Sequence, residues 1–364
     1  MAGLSMVEIN NNVKISVMKK IFISIAAIFL LTACFRNQEL DFPDFDYTSA
    51  SFSLQTPMRT LILGKYTMSD NSLDNKYQFN IGISVGGLRE NKEVRKAKFV
   101  IDETIVPQNL FFTGMPAGNS DTLKVLPQKY YTTEPASGGE VTIQPGTMDG
   151  KILVTLKPEF FNDPNALKYR YVIPVRITGV TNIDSLLSGK PTPGISNPNL
   201  FKASDWAVPP KNFTLFGIKY VNEYHGNYIY YGVNHLLDAS GNKVSSTRYS
   251  NFYLERNPVW FLTNVARKSV QTPGVASDLN SQMKLTIKSD NTVEISPVKG
   301  TKLIDAVASK GKFVPDGGEW GGQKRDVIYI DYFYTESGKR LQAQDTLLFR
   351  DKAIVFEQFQ TILK

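Results

Sequence analysis

The chain has 364 residues, 42% of them apolar and 21% charged, a balance that excludes a mostly disordered protein. Its formal charge of +7 is spread over interspersed Lys, Arg, Asp and Glu, with only short basic groups such as Arg95-Lys96-Ala97-Lys98, so the clustered basic stripe of a nucleic-acid binder is missing. One Cys and two His exclude a disulfide framework, a zinc-finger array and most His-based metal sites, while 12% aromatics with 26 Gly and 19 Pro favour strands and turns.

The first element is an export signal. Lys19 and Lys20 form a positive start, Ile21 to Leu30 an apolar stretch, and Leu31-Thr32-Ala33-Cys34 closes it with small residues before the only Cys. Such a stretch is too short to cross a bilayer about 30 Å thick and reads as a secretory signal over residues 1–33. The pattern around Cys34 matches a bacterial lipobox, where the thiol is lipidated and the chain is cut just before it. Translation starting at Met1, Met6 or Met18 is compatible with this pattern. Removing 1–33 takes away Lys14, Lys19, Lys20 and Glu8 and lowers the charge from +7 to +5. The acidic, Pro-containing run to Tyr47 makes 34–47 an anchor and tether, with Asp44-Phe45-Asp46 a solvated leash rather than a metal motif.

Residues 48–182 follow as a β domain. Arg59 to Gly64, Phe79 to Val85, Lys98 to Ile101 and Lys151 to Leu156 are short and rich in strand formers, with Ser137-Gly138-Gly139 and Met148-Asp149-Gly150 as turns. Pro158 to Lys168 reads as a helical turn and Tyr169 to Thr178 as a further strand, with Pro174 favouring an edge or bulge. This pattern predicts an immunoglobulin-like β-sandwich. Prolines and glycines then concentrate in 183–212, which reads as a joint. The second β domain, 213–364, opens with Phe213 to Tyr220. Met283 to Lys288 pairs with Val293 and Ile295, Val327 to Thr335 pairs with Arg340 to Phe349 across Ser337-Gly338, and Lys352 to Ile362 forms a last strand. Consecutive hairpins favour an antiparallel β-barrel, with a second sandwich as the alternative.

Several motifs resemble a known family. Gln55-Thr56-Pro57-Met58-Arg59-Thr60-Leu61-Ile62-Leu63-Gly64, Asp70-Asn71-Ser72-Leu73-Asp74-Asn75 and Gly86-Gly87-Leu88-Arg89-Glu90-Asn91-Lys92 resemble the N-terminal domain of unknown function of Bacteroidota lipoproteins from polysaccharide-utilisation loci, as does Tyr171 to Thr178. Phe213 to Tyr228 is similar to a C-terminal domain paired with it. The resemblance implies a sandwich followed by a lipocalin-like barrel, outside the cytoplasm, engaged in glycan capture.

Catalytic chemistry is sparse. The clustered D-x-x-D-x-D-x-E carboxylates of the chitinase-type members do not occur, and the second domain is too short for an eight-stranded α/β barrel of about 250 residues. Asp316, Glu319, Asp326, Asp331 and Glu336 read as solvated surface rather than an acid/base pair. His225 and His235 have no nucleophile elbow or metal-binding partner and read as structural or surface residues. Sugar binding asks for less, because pyranose C–H faces stack on flat aromatic rings while hydroxyls take polar partners. Trp320, in Gly317-Gly318-Glu319-Trp320-Gly321-Gly322, reads as an indole on a mobile loop. Trp260, Trp206, Tyr228 and Tyr230 are further candidates against a core role. The resulting expectation is a non-catalytic glycan-binding protein without cofactor or metal, held through Cys34 to the outer membrane and exposed at the cell surface, with the periplasmic face as alternative. Its partners would be a polysaccharide or oligosaccharide and an outer-membrane uptake complex. A glycan hydrolase and a structural subunit of a surface complex are the competing readings.

Overall fold

Strands whose alternate residues are apolar bury one face, and Gln78–Gly86 shows the rule: Phe79, Ile81, Ile83 and Val85 point inward. In the computed structural model, which describes residues 45, 47–113, 122–276, 278–355 and 357–364, strands make up 56% and helices 8%, so the fold is nearly all β. The expected signal segment 1–33, Cys34 and nearly all of the expected tether lie outside the described residues.

The N-terminal half is a β-sandwich. One sheet runs Ser185–Leu186, Ser49–Ser51, Gln78–Gly86, Asp149–Leu156, Tyr131–Glu134. The other runs Glu357–Gln358, Pro57–Ile62, Phe213–Val221, Tyr171–Thr181, Arg95–Ile101, Glu140–Ile143. Their shared core joins Phe79, Ile81 and Ile83 of the first to Phe99, Ile173 and Ile218 of the second. Pro158–Asn162 and Pro164–Leu167 are 3-10 turns that bring Phe160 and Phe161 against Tyr220. Asp149-Gly150 opens a strand instead of turning a hairpin, because Gly150 lies directly under Val141, where a larger residue would collide.

Two segments depart from the expected order. Phe213–Val221 is not the first barrel strand: it lies between Pro57–Ile62, in parallel, and Tyr171–Thr181, antiparallel. Its near-continuous burial is what a central strand covered on both faces requires. The last residues also return to the sandwich, where Glu357–Gln358 pairs with Pro57–Ile62 and Gln360–Leu363 with Leu110–Thr113. Phe359 is fully buried there, edge-on to Phe112 at 4.7 Å. The barrel is thus inserted between two strands of the sandwich. The expected joint is largely structured too: Ser185–Leu186 joins the first sheet, and Lys190–Pro191 pairs with Trp206–Val208.

The barrel closes from eight antiparallel strands: Gly226–Leu237, Val259–Ala266, Ser269–Gln271, Gln282–Ile287, Thr292–Lys299, Leu303–Trp320, Gln323–Glu336 and Lys339–Asp351, the last pairing back onto the first. Lys243–Tyr249 pairs with the far half of Gly226–Leu237 as an extra strand. Gly226 sits at φ 141°, where any Cβ would press on the Asp351 carbonyl.

The barrel interior is filled by side chains. Tyr228, Tyr230 and Trp260 are at most 4% exposed, with Trp260 stacked flat on Tyr230 at 3.5 Å. These three residues are therefore core and not ligand platforms: alternation along their strands turns them inward. One carboxylate lies among them. Asp345 accepts hydrogen bonds from the hydroxyls of Tyr332 (2.7 Å), Tyr230 (3.0 Å) and Tyr249. Burial pushes its pKa up to about 6, against the opposing pull of those three donors.

Candidate binding cleft at one end of the barrel

Trp320 ends strand Leu303–Trp320 and faces Gln323 across the two-residue turn Gly321-Gly322. Both glycines have positive φ, 62° and 69°, which this tight turn requires and only glycine adopts cheaply. The indole is therefore fixed at a strand end, not carried by a mobile loop. It is half-buried against an outward-facing apolar cluster of Ile229, Val327 and Leu348. The guanidinium carbons of Arg325 and Arg350 lie 5.5 and 5.8 Å from its ring centre. Arg325 is steadied by long hydrogen bonds from Nε to the Trp320 carbonyl (3.3 Å) and from Nη1 to the Arg350 carbonyl (3.4 Å).

Earlier in the same strand the ladder shifts register between Val314 and Gly318. The bulge places Asp316 at φ 52° and turns its carboxylate out of the sheet. Lys65, from the sandwich loop after Pro57–Ile62, donates to Asp316 Oδ2 at 2.6 Å and lies 3.9 Å from Asp326 Oδ1. The hydrogen bond to Asp316 holds the Lys65 pKa above its ordinary value. Asp316 N donates to Asp326 Oδ1 at 2.9 Å. Two carboxylates scattered in sequence are thus brought together on one ammonium.

Between these groups opens a cleft of about 340 Å³ that reaches from the loop Lys65–Met68 to Trp320, Arg325, Phe349 and Lys352. Lys352, only 4% exposed, donates Nζ to the carbonyls of Asn222 (3.3 Å) and Glu223. Burial lowers its pKa to about 8, with Glu223 and Asp326 acting the other way. The Glu223 carboxylate is itself taken by Arg267 and Lys268. The cleft therefore offers the aromatic rings of Trp320, Phe349 and Tyr66, forked guanidinium donors, a buried ammonium and carboxylate acceptors, the mixed set that polyhydroxylated rings use.

The other sequence candidates lie elsewhere. Trp206 is half-buried, donates its indole N–H to the Asn199 carbonyl at 2.8 Å, and lines a shallow groove with Phe201 and Pro210. His225 immediately precedes the strand Gly226–Leu237 and His235 lies near its far end, about 30 Å away at strand rise, so they share no site. His225 is buried, its pKa driven down to about 4 by burial and by nearby Lys352 and Lys219, and it accepts the Asn264 N–H. His235 contacts Ser246 and Gln344. Among the described residues no group of three His, Cys, Asp or Glu is arranged for a metal, and no helix is long and apolar enough to cross a membrane. Trp320 is legible in the sequence, whereas Arg325 and Arg350 join it through the ladders of the last two barrel hairpins, and Lys65 and the Lys352 contact to Asn222 through the inserted topology.

Residues 223–353 match the domain of unknown function DUF5627, and residues 45–184 match a family described only as an N-terminal domain. The first match coincides with the inserted barrel. A structural-genomics protein of unknown function from Bacteroides ovatus is 28% identical, with 88% of this chain and 100% of that chain covered and a TM-score of 0.76. A second such protein from Bacteroides ovatus is 12% identical over 86% and 100% of the two chains, TM-score 0.39. A multidomain protein including DUF1735, also from Bacteroides ovatus, is 11% identical over 86% and 100%, TM-score 0.39. No curated protein matches the chain.

Proposed function

We propose that this protein is a lipid-anchored, non-catalytic glycan-binding protein of the outer-membrane surface that assists polysaccharide capture, with Cys34 as the anchor. The observation that carries the reading is the cleft around Trp320. An indole fixed at a strand end by a two-glycine turn offers its ring beside arginine donors and carboxylate acceptors. The sandwich is more than a spacer in this reading, since Lys65 and its loop form one wall of the cleft.

The test is a glycan array carrying neutral, uronate-containing and sulfated oligosaccharides, probed with the full chain in detergent and with Trp320→Ala. Binding by the native protein and a loss of several-fold to about tenfold in the variant is the expected result, given about 0.5–1.5 kcal/mol for an aromatic contact. An array without a hit sinks the reading. Protease added to whole cells should degrade the protein; an intact protein would place it on the periplasmic face.

A glycan hydrolase is favoured by one observation, the juxtaposition of Asp316 and Asp326 in the same cleft. Against it, both carboxylates lean on Lys65, and Asp316 is half exposed, unlike the apolar setting that keeps a general acid protonated. Release of reducing ends from an array hit, lost in Asp326→Asn, would establish that second reading.

A further inference from the structure

The charges around the cleft do not cancel evenly. Lys65 is met by Asp316 and Asp326, Glu223 by Arg267 and Lys268, and Arg350 by Asp351 at 3.4 Å. Arg325 and Lys352 differ: among the described residues neither has a carboxylate within 4.0 Å, and their hydrogen bonds go to backbone carbonyls. Arg325 directs Nε and Nη1 to such carbonyls and keeps its Nη2 for another acceptor. Lys352 uses two of its three N–H donors in the same way while almost wholly buried.

A nearly buried ammonium whose two hydrogen bonds go to neutral carbonyls, with the Phe349 ring at 5.5 Å and only the more distant charges of Glu223 and Asp326 to help it, is costly, and a second cation in the same cleft raises that cost. An anion placed between them would relieve both. Guanidinium also matches the two oxygens of a carboxylate or sulfate in a fork, which a hydroxyl cannot supply. Arg325 meanwhile lies beside the Trp320 ring, so a ligand that stacks there meets positive charge first.

We propose that the cleft recognises an anionic saccharide, its carboxylate or sulfate group seated at Arg325 and Lys352 and its ring lying along Trp320. This inference rests on the glycan reading above and narrows its ligand class.

The same array tests it, followed by affinity electrophoresis of the full chain through gels containing polygalacturonate, dextran sulfate or unmodified dextran. The variants are Arg325→Gln, Lys352→Met and, as a matched loss of charge, Lys243→Gln on the exposed strand Lys243–Tyr249. Uronate-bearing or sulfated glycans should bind, and the corresponding gel should retard the native protein while dextran does not. Each cleft variant should lose about tenfold or more in apparent affinity, as for one desolvated charged hydrogen bond, with Lys243→Gln close to native. Retardation by polygalacturonate alone identifies the carboxylate, and by dextran sulfate alone the sulfate ester. Array hits confined to neutral glycans overturn this inference and leave the glycan reading standing, whereas an array with no hit overturns both. Equal losses in Lys243→Gln and the cleft variants would show attraction to net charge and also overturn it. Lys352→Met keeps the unbranched apolar stem without the ammonium, and if it fails to fold, Arg325→Gln on the more open wall carries the test.

Discussion

Replacing Asp345 by Asn separates charge from shape at the centre of the barrel. The carboxyl is 2% exposed and held near pKa 6 by burial, against an ordinary value of 3.8, although three tyrosine hydroxyls favour its ionised form. In the unfolded chain it loses its proton near pH 4, and in the barrel it keeps it to about 6. The stability linked to this proton is thus fully present below about pH 4 and is lost as the pH rises through 6. About two decades of pH correspond to about 3 kcal/mol. Asn does not titrate, so the stability difference between native protein and Asp345→Asn should move by about 3 kcal/mol toward the native protein between pH 7.5 and pH 4. Urea unfolding at each pH measures it, with Trp260, stacked on Tyr230 in the same core, as the fluorescent reporter. Comparing the two proteins cancels the opposite trend of Glu223 and Glu357, whose carboxyls are held low and stabilise less as pH falls. A difference that stays constant from pH 4 to 7.5 would refute the argument, since the carboxyl would then titrate alike in both states.

Three further outcomes follow from packing. Trp260→Ala removes a fully enclosed indole and should cost about 3–5 kcal/mol in urea unfolding, with the array specificity of surviving folded protein unchanged. Phe359→Ala should cost about as much, and hydrogen exchange should quicken first in Pro57–Ile62 while barrel amides stay protected. Glu357→Gln leaves Lys219, its partner at 2.8 Å, without a counter-charge and should cost about 2–3 kcal/mol at pH 7. Burial opposes ionisation of Glu357, but Lys219 and Tyr169 outweigh it, so native stability from this pair should decline as the pH is taken below the ordinary glutamate range and the variant should not share the decline.

Hairpins were the legible part of this sequence. Gln282–Ile287 with Thr292–Lys299, and Gln323–Glu336 with Lys339–Asp351, lie where alternation and turn residues put them, because local contacts decide a hairpin. Phe213–Val221 reads from sequence as a barrel strand because a central strand buried on both faces carries no periodicity that names its sheet, and the nearby prolines suggest a boundary. The aromatics divided for the same reason. Trp260 and Tyr230 look no different from Trp320 in composition, and only the direction of each side chain across the barrel wall separates core from cleft. Lys352 carried no signal, since a lysine's burial depends on carbonyls contributed by a distant strand end. Asp316 and Asp326 are ten residues apart, and a bulge rather than a motif unites them.

The inserted topology also sets an order of assembly. Pro57–Ile62 is flanked by Phe213–Val221 on one side and Glu357–Gln358 on the other, so a strand translated after the whole barrel completes a sheet begun near the start of the chain. The barrel, closed chiefly by neighbours in sequence, can form before the sandwich that precedes it on the ribosome. Until the closing strand arrives, the Pro57–Met58 end of this strand lacks its outer neighbour, an edge at which another chain can pair. Loss of the segment after Asp351 would therefore leave the Pro57–Met58 end of a strand far away in sequence without its partner.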